Sequence, residues 1–142
     1  MEIATSTRTA ARLRRAVTRL SRRLRTSALG GISPAQASML ATIENRECPA
    51  LGELASAEQI QPPSVTRMVQ NLEQAGLVET WQDPDDRRCT RVRLSDTGHH
   101  ELELIRQRKT EFIERQLLSM TAADQLKAEE LVVFLERFLD ES

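Results

Sequence analysis

A chain of 142 residues suits one domain and is long enough to bury a core without disulfide or metal staples. With 39% hydrophobic and 29% charged residues, no apolar run near the roughly 20 residues of a membrane span and no apolar leader, it reads as a soluble, cytoplasmic protein without a membrane partner. A net charge of −1, two cysteines (Cys48, Cys89) and two histidines (His99, His100) rule out a disulfide framework and nearly exclude a His-rich zinc site or a His-based triad.

From about Thr5 to Ser27, Leu13, Val17, Leu20 and Leu24 recur at spacings of four, three and four, which is one apolar stripe on a helix. Arg12, Arg14, Arg15, Arg19, Arg22, Arg23 and Arg25 fill the other faces, and Gly30-Gly31 stops the helix. So narrow a stripe suits packing against another helix, from this chain or a second one. The arginines fit the solvated side of a dimer helix and, alternatively, a phosphate-binding face. Arginine supplies 18 of the 20 basic residues, which suits forked contacts with phosphate or guanine and equally the codon use of a GC-rich genome. Charge is uneven: residues 1–100 hold 14 basic and 11 acidic side chains, residues 101–142 hold 6 and 10. The sign of the contacting face therefore matters more than the total.

Ser33-Pro34-Ala35-Gln36 carries a cap, a first-turn proline and a capping-box partner, starting a helix to about Glu44 with Met39, Leu40 and Ile43 inward. After a break at Asn45–Pro49, Leu51–Glu58 forms a short helix. Pro62-Pro63 opens a fourth, where first-turn amides have no helical partner to lose. Val65, Met68, Val69 and Leu72 face inward and Gly76 supplies a left-handed cap. Ser64, Thr66, Arg67, Gln70 and Asn71 are left as an outward polar face. Leu77–Gln82 and Thr90–Leu94 read as two short strands, joined by the polar turn Asp83-Pro84-Asp85-Asp86-Arg87-Arg88-Cys89. Ser95 or Asp96 caps a long helix to about Leu118. A last helix runs from Thr121 to about Leu139, with Leu131, Leu135, Phe138 and Leu139 on one side.

Helix, break, short helix, polar-faced helix and charged hairpin make a helix-turn-helix with an attached β-hairpin. The second helix can enter a major groove and offer side chains to base edges, and the hairpin can reach phosphates or the neighbouring minor groove.

The stretch Pro62-Pro63-Ser64-Val65-Thr66-Arg67-Met68-Val69-Gln70-Asn71-Leu72-Glu73-Gln74-Ala75-Gly76-Leu77-Val78, followed by Asp83-Pro84-Asp85-Asp86-Arg87-Arg88 and Val92-Arg93-Leu94-Ser95-Asp96-Thr97-Gly98, resembles the recognition helix and D-x-R wing of the MarR family of winged-helix regulators. The resemblance covers the whole chain. It implies a mainly α fold with a small β-wing, a winged helix over 33–98 flanked by dimerisation helices over 1–30 and 99–142, all within one domain over 1–142. It also implies a homodimer on a pseudo-palindromic double-stranded DNA site, with half-site centres about one helical turn apart, roughly 34–36 Å. By the same resemblance Arg88 lies in or near the minor groove, Asp86 orients it, and Arg87 meets phosphate. Ser64, Thr66 and Arg67 are the strongest candidates for DNA contact. Gln70 and Asn71 lie further from the helix start, and Gln61 and Pro63 contribute at the start itself. Gln61 departs from the small hydroxyl cap expected there.

The resemblance further implies repression relieved by a small phenolic or anionic effector. No pocket can be read from the sequence, and Phe134 and Phe138, at helical spacing near Leu135, suit core packing better than ligand lining. The family's peroxide-sensing branch carries its reactive cysteine in the first helix with tyrosine partners, and this chain has neither. Cys89 in the wing leaves a thiol-responsive alternative, beside the reading of an inert thiol. His99-His100 point to different helix faces and suit solvated surface better than zinc. No cofactor and no enzyme activity is expected, because no nucleophile–base pair or metal set is visible. The remaining alternative is a winged-helix protein-interaction module. Such a module has no use for an Arg-bearing wing and a polar helix face, and this chain carries both.

Overall fold

In the computed structural model, which describes the backbone of residues 2–142 and the side chains of residues 4–142, six helices and one hairpin follow in the expected order: α1 (Glu2–Ala28), α2 (Pro34–Asn45), α3 (Leu51–Glu58), α4 (Pro62–Gln74), β1 (Val78–Gln82), β2 (Thr90–Leu94), α5 (Asp96–Leu118) and α6 (Ala122–Asp140). The capping box is present at α2: Ser33 Oγ accepts from the Gln36 amide at 3.1 Å, and Gln36 Oε1 accepts from the Ser33 amide at 3.0 Å. The first helix begins at Glu2, earlier than expected, since no proline or glycine interrupts Glu2–Ala28. Strand β1 begins at Val78, because Leu77 completes the helix cap. Gly76 takes φ 77°, its amide donates to Glu73 O, and the Leu77 amide donates to Leu72 O, both at 2.9 Å.

The core lies within α2–β2 and is closed by α5. Met39, Leu40 and Ile43 of α2 meet Leu54 and Ala55 of α3, then Val65, Val69 and Leu72 of α4, Val78 and Leu77, Val92 and Leu94 of β2, and Leu102 of α5. Each fully buried leucine there contributes about 1.5–3 kcal/mol. Met68, expected inside, is only half-buried.

The hairpin pairs antiparallel from Val78–Leu94 to Gln82–Thr90. A third piece of chain joins it: Ala50 bridges to Arg91, and the Val92 amide donates to Pro49 O at 3.1 Å. The wing is therefore attached to the segment leading into α3.

Outside this core α1 packs along α5, where Ala28 and Ile105 are buried, and α6 touches the rest of the chain little. Arg108 Nη1 of α5 donates to Ala28 O at 3.3 Å, closing the end of α1, and the Arg23 guanidinium lies 5.6 Å from the Phe112 ring centroid. No residue of α6 is buried. Phe134 and Phe138, expected as core, are 44% and 52% exposed, with their rings stacked 6.3 Å apart. Their helical spacing is that of a buried face, yet neither is buried among the described residues. Among the described residues no helix is long and apolar enough to cross a membrane.

Candidate nucleic-acid interface

The α3–α4 turn positions the reading helix. Gln59 adopts φ 55° after α3, the Ile60 amide donates to Ala55 O at 3.2 Å, and the chain turns at once into Gln61 and Pro62. A left-handed residue with a side chain costs about 1 kcal/mol, here offset by the core the two helices share. On the far side of α3, Glu58 accepts from Ser38 Oγ at 2.9 Å and from Thr42 Oγ1, joining α3 to α2.

Gln61 makes no side-chain cap, as its type suggests. Val65, Val69 and Leu72 hold α4 to the core, which leaves Gln61, Pro63, Ser64, Thr66, Arg67, Gln70 and Asn71 exposed. Thr66 Oγ1 donates back to Pro62 O at 3.1 Å. Ser64, Arg67 and Gln70 have no side-chain partner among the described residues, so their donors and acceptors face solvent. The helix is tied to the hairpin where Thr80 Oγ1 of β1 donates to Glu73 Oε2 at 2.9 Å.

The wing loop is built by its aspartates. Asp83 Oδ1 accepts from the Asp85 amide at 2.8 Å, and the Asp83 amide donates to Cys89 O at 2.9 Å. Asp86 Oδ1 accepts from both the Arg88 amide at 3.1 Å and Arg88 Nε at 3.4 Å. The Arg88 side chain is 94% exposed, so Asp86 orients it without burying it. Arg87 is exposed beside it. Further along the hairpin, Arg93 Nε donates to Glu79 Oε2 at 2.8 Å and stacks 5.2 Å from the Trp81 ring centroid. Cys89 is half-buried at the base of the loop, Cys48 is exposed, and both are free thiols.

Arg91, which the sequence does not single out, is central to this loop. Its Nε donates to Asp83 Oδ2 at 3.0 Å, while its Nη1 reaches Glu53 Oε1 and Cys48 O, each at 3.3 Å. The backbone amide of Asp85 and the guanidinium of Arg91 together hold the Asp83 carboxyl below the usual range, and that carboxylate raises Arg91 in turn. The only hint in the sequence is the alternation that turns Arg91 and Arg93 outward from Val92 and Leu94.

A second charged cluster joins α2 to α5. Arg106 Nη2 donates to Glu44 Oε1 at 2.7 Å, and His99 Nδ1 lies 3.4 Å from Glu44 Oε2. The Arg106 hydrogen bond is the main reason that the Glu44 carboxyl sits below its ordinary value. His99 thus serves a contact between helices, and His100 is exposed.

The chain is similar to known proteins in sequence and in fold. The MarR family model matches residues 32–90, which run from the α2 cap to the first residue of β2. A helix-turn-helix transcriptional regulator of Mycobacterium tuberculosis is 32% identical over 118 residues, 82% of this chain and 82% of that protein. The crystal structure of a Pseudomonas aeruginosa protein superposes with a TM-score of 0.80 at 28% identity, covering 95% of this chain and 96% of that one. A single-residue mutant of Staphylococcus aureus MepR, bound to an oligodeoxyribonucleotide, shares the fold with a TM-score of 0.73 at 16% identity, covering 92% and 97%. The polar-faced α4, the arginine-tipped hairpin and these likenesses together place the chain in the MarR family of winged helix-turn-helix, DNA-binding transcriptional regulators.

Proposed function

We propose that this chain acts as a homodimeric repressor on a pseudo-palindromic duplex site and is released by a small phenolic or anionic ligand. The observation that carries the DNA side is the pairing of two free chemistries on one rigid unit. Helix α4 offers Ser64, Arg67 and Gln70 unpartnered, and the wing tied to it offers an Arg88 held by Asp86. Arg67 suits the O6 and N7 acceptors of guanine, and Gln70 suits the N6 and N7 pair of adenine. Gln61, Pro63 and Thr66 shape the approach at the helix start, and Arg87 takes phosphate. The oligonucleotide bound to MepR is in keeping with this use of the fold.

The dimer is supported by apolar surface that the single chain leaves open. Leu13 and Val17 of α1 and Phe134, Leu135, Phe138 and Leu139 of α6 line a groove of about 1100 Å³. Monomeric proteins rarely leave a continuous apolar face of this kind in water. We assign residues 1–30 and 99–142 to that interface and residues 33–98 to DNA. Two paired reading heads then fit a twofold-related site, and occupancy of a promoter is sufficient to block transcription. A ligand releases the repressor only by favouring a spacing of the two α4 helices that the duplex does not match.

Selection of genomic fragments by the purified protein, with and without phenolic compounds, tests the whole reading. The expected result is retention of fragments with twofold-related sequence and their release by an effector. Retention that ignores sequence, or no retention at all, contradicts it. Within the same assay, Arg87→Ala is expected to weaken binding to cognate and scrambled duplexes alike. It should also reduce the slope of log affinity against log salt by about one. An unchanged slope removes Arg87 from the phosphate contact.

A further inference from the structure

We propose that Arg91 is the positioning residue of the wing: its guanidinium latches the hairpin to the entrance of α3 and thereby sets where Arg88 reaches on DNA. The inference rests on the reading of Arg88 as a DNA contact and extends it to a residue that touches no base or phosphate.

The geometry is a chain of bonds from the helix-turn-helix to the wing tip. Arg91 is on β2, where Ala50 of a third segment bridges to the hairpin. From there it reaches Glu53 of α3 and the Cys48 carbonyl on one side, both at 3.3 Å, and Asp83 on the other at 3.0 Å. Cys48 itself takes φ 43°, a left-handed conformation that side chains seldom adopt, and the Arg91 bond helps hold the carbonyl of that strained residue. Asp83 uses both its oxygens: Oδ2 takes Arg91, and Oδ1 takes the Asp85 amide that turns the loop. The turn closes with the Cys89 amide on Asp86 O at 2.9 Å, and Asp86 holds Arg88.

A two-stranded hairpin is marginal by itself, so its direction in space depends on what braces it. The Arg91 side chain is 31% exposed and that of Asp83 15%, far less than Arg88 at 94%. The half-buried end of the wing is thus braced and the exposed end is free to read. Arginine is required because its planar fork serves Asp83 through Nε and Glu53 with Cys48 through Nη1, whereas a lysine ammonium is a single point.

The test is a double-mutant cycle on the full chain, read as affinity for the selected duplex and as amide hydrogen exchange in the free protein. Arg91→Gln alone is expected to weaken binding on the order of fivefold. In an Arg88→Ala background the same change should cost less than about twofold, because the latch acts through Arg88. Exchange at the Asp83 and Cys89 amides should accelerate while the α2 and α4 amides keep their protection. Asp83→Asn breaks the contact from the other side and should give the same pattern, and Arg91→Lys should restore little. Additive losses in the cycle would identify Arg91 as a direct phosphate contact and overturn the proposal. Unchanged affinity, or unchanged wing exchange, overturns it as well. If Arg88→Ala alone leaves binding intact, the reading of the wing fails first, and the role of the latch in binding goes with it.

Discussion

Replacement of Arg88 by alanine is expected to weaken binding to the selected duplex by about 1–3 kcal/mol, roughly 5- to 150-fold, and to relax preference at the base pairs the wing faces. The folded chain itself needs this side chain little. It is 94% exposed, and its only side-chain partner among the described residues is Asp86, on the same turn at 3.4 Å. Removal of an exposed group of this kind changes folding stability by less than about 0.5 kcal/mol. The loss in affinity is therefore separable from any loss of fold. The contrast with Arg87 is diagnostic, since a phosphate contact weakens every duplex alike whereas a groove contact discriminates among them. Titration of Arg88→Ala on cognate and scrambled duplexes over several salt concentrations checks this. Unchanged binding to the cognate site would remove Arg88 from the interface.

The second large effect is on stability. Gly98→Ala is expected to destabilise the chain by about 1–3 kcal/mol, although alanine is the better helix former. A Cβ on Gly98 would lie 2.0 Å from the Leu77 carbonyl oxygen and 3.0 Å from its carbon, and both are backbone atoms that cannot swing aside. Leu77 O also accepts from the Ser95 amide at 3.0 Å, and Ser95 Oγ both caps Gly98 N and donates to Gly76 O. The start of α5 is thus sewn to the exit of the reading helix, and a methyl group there forces the two apart. Gly52 is the internal control. It lies in α3, and a methyl group added there would meet nothing within 4 Å, so Gly52→Ala should be neutral or stabilising by up to about 1 kcal/mol. Denaturant midpoints of the two variants decide the matter. A Gly98→Ala chain as stable as its parent would show that the α4–α5 junction yields easily.

What could be read from the sequence follows how local each cause is. Ser33 with Gln36, Pro62-Pro63, Gly76 and Ser95 act within a turn or two of themselves, and the structure places each where the sequence suggests. The contact of Asp86 with Arg88, which the family resemblance implies, is present within the same turn. Gln59 and Cys48 were not: both adopt left-handed backbone, and neither residue type signals it. Arg91 was hidden for a different reason. Its partners Glu53 and Cys48 lie 38 and 43 positions away, so the contact exists only once Ala50 has paired with the hairpin. The apolar faces of α1 and α6 were legible as faces, but helical spacing is the same whether the cover comes from one chain or two. Hence Phe134 and Phe138, with the spacing of core residues, stand 44% and 52% exposed.

The proposed dimer sets two copies of α4, held apart by the terminal helices, on one duplex. Sedimentation of the free chain and of its complex with a selected fragment, combined with a chemical footprint, measures this directly. The expected result is a free species of two chains, a complex of two chains per site, and two protected major-groove segments centred roughly 34–36 Å apart. A single 16.1 kDa chain in solution, or one protected segment per bound protein, would contradict it.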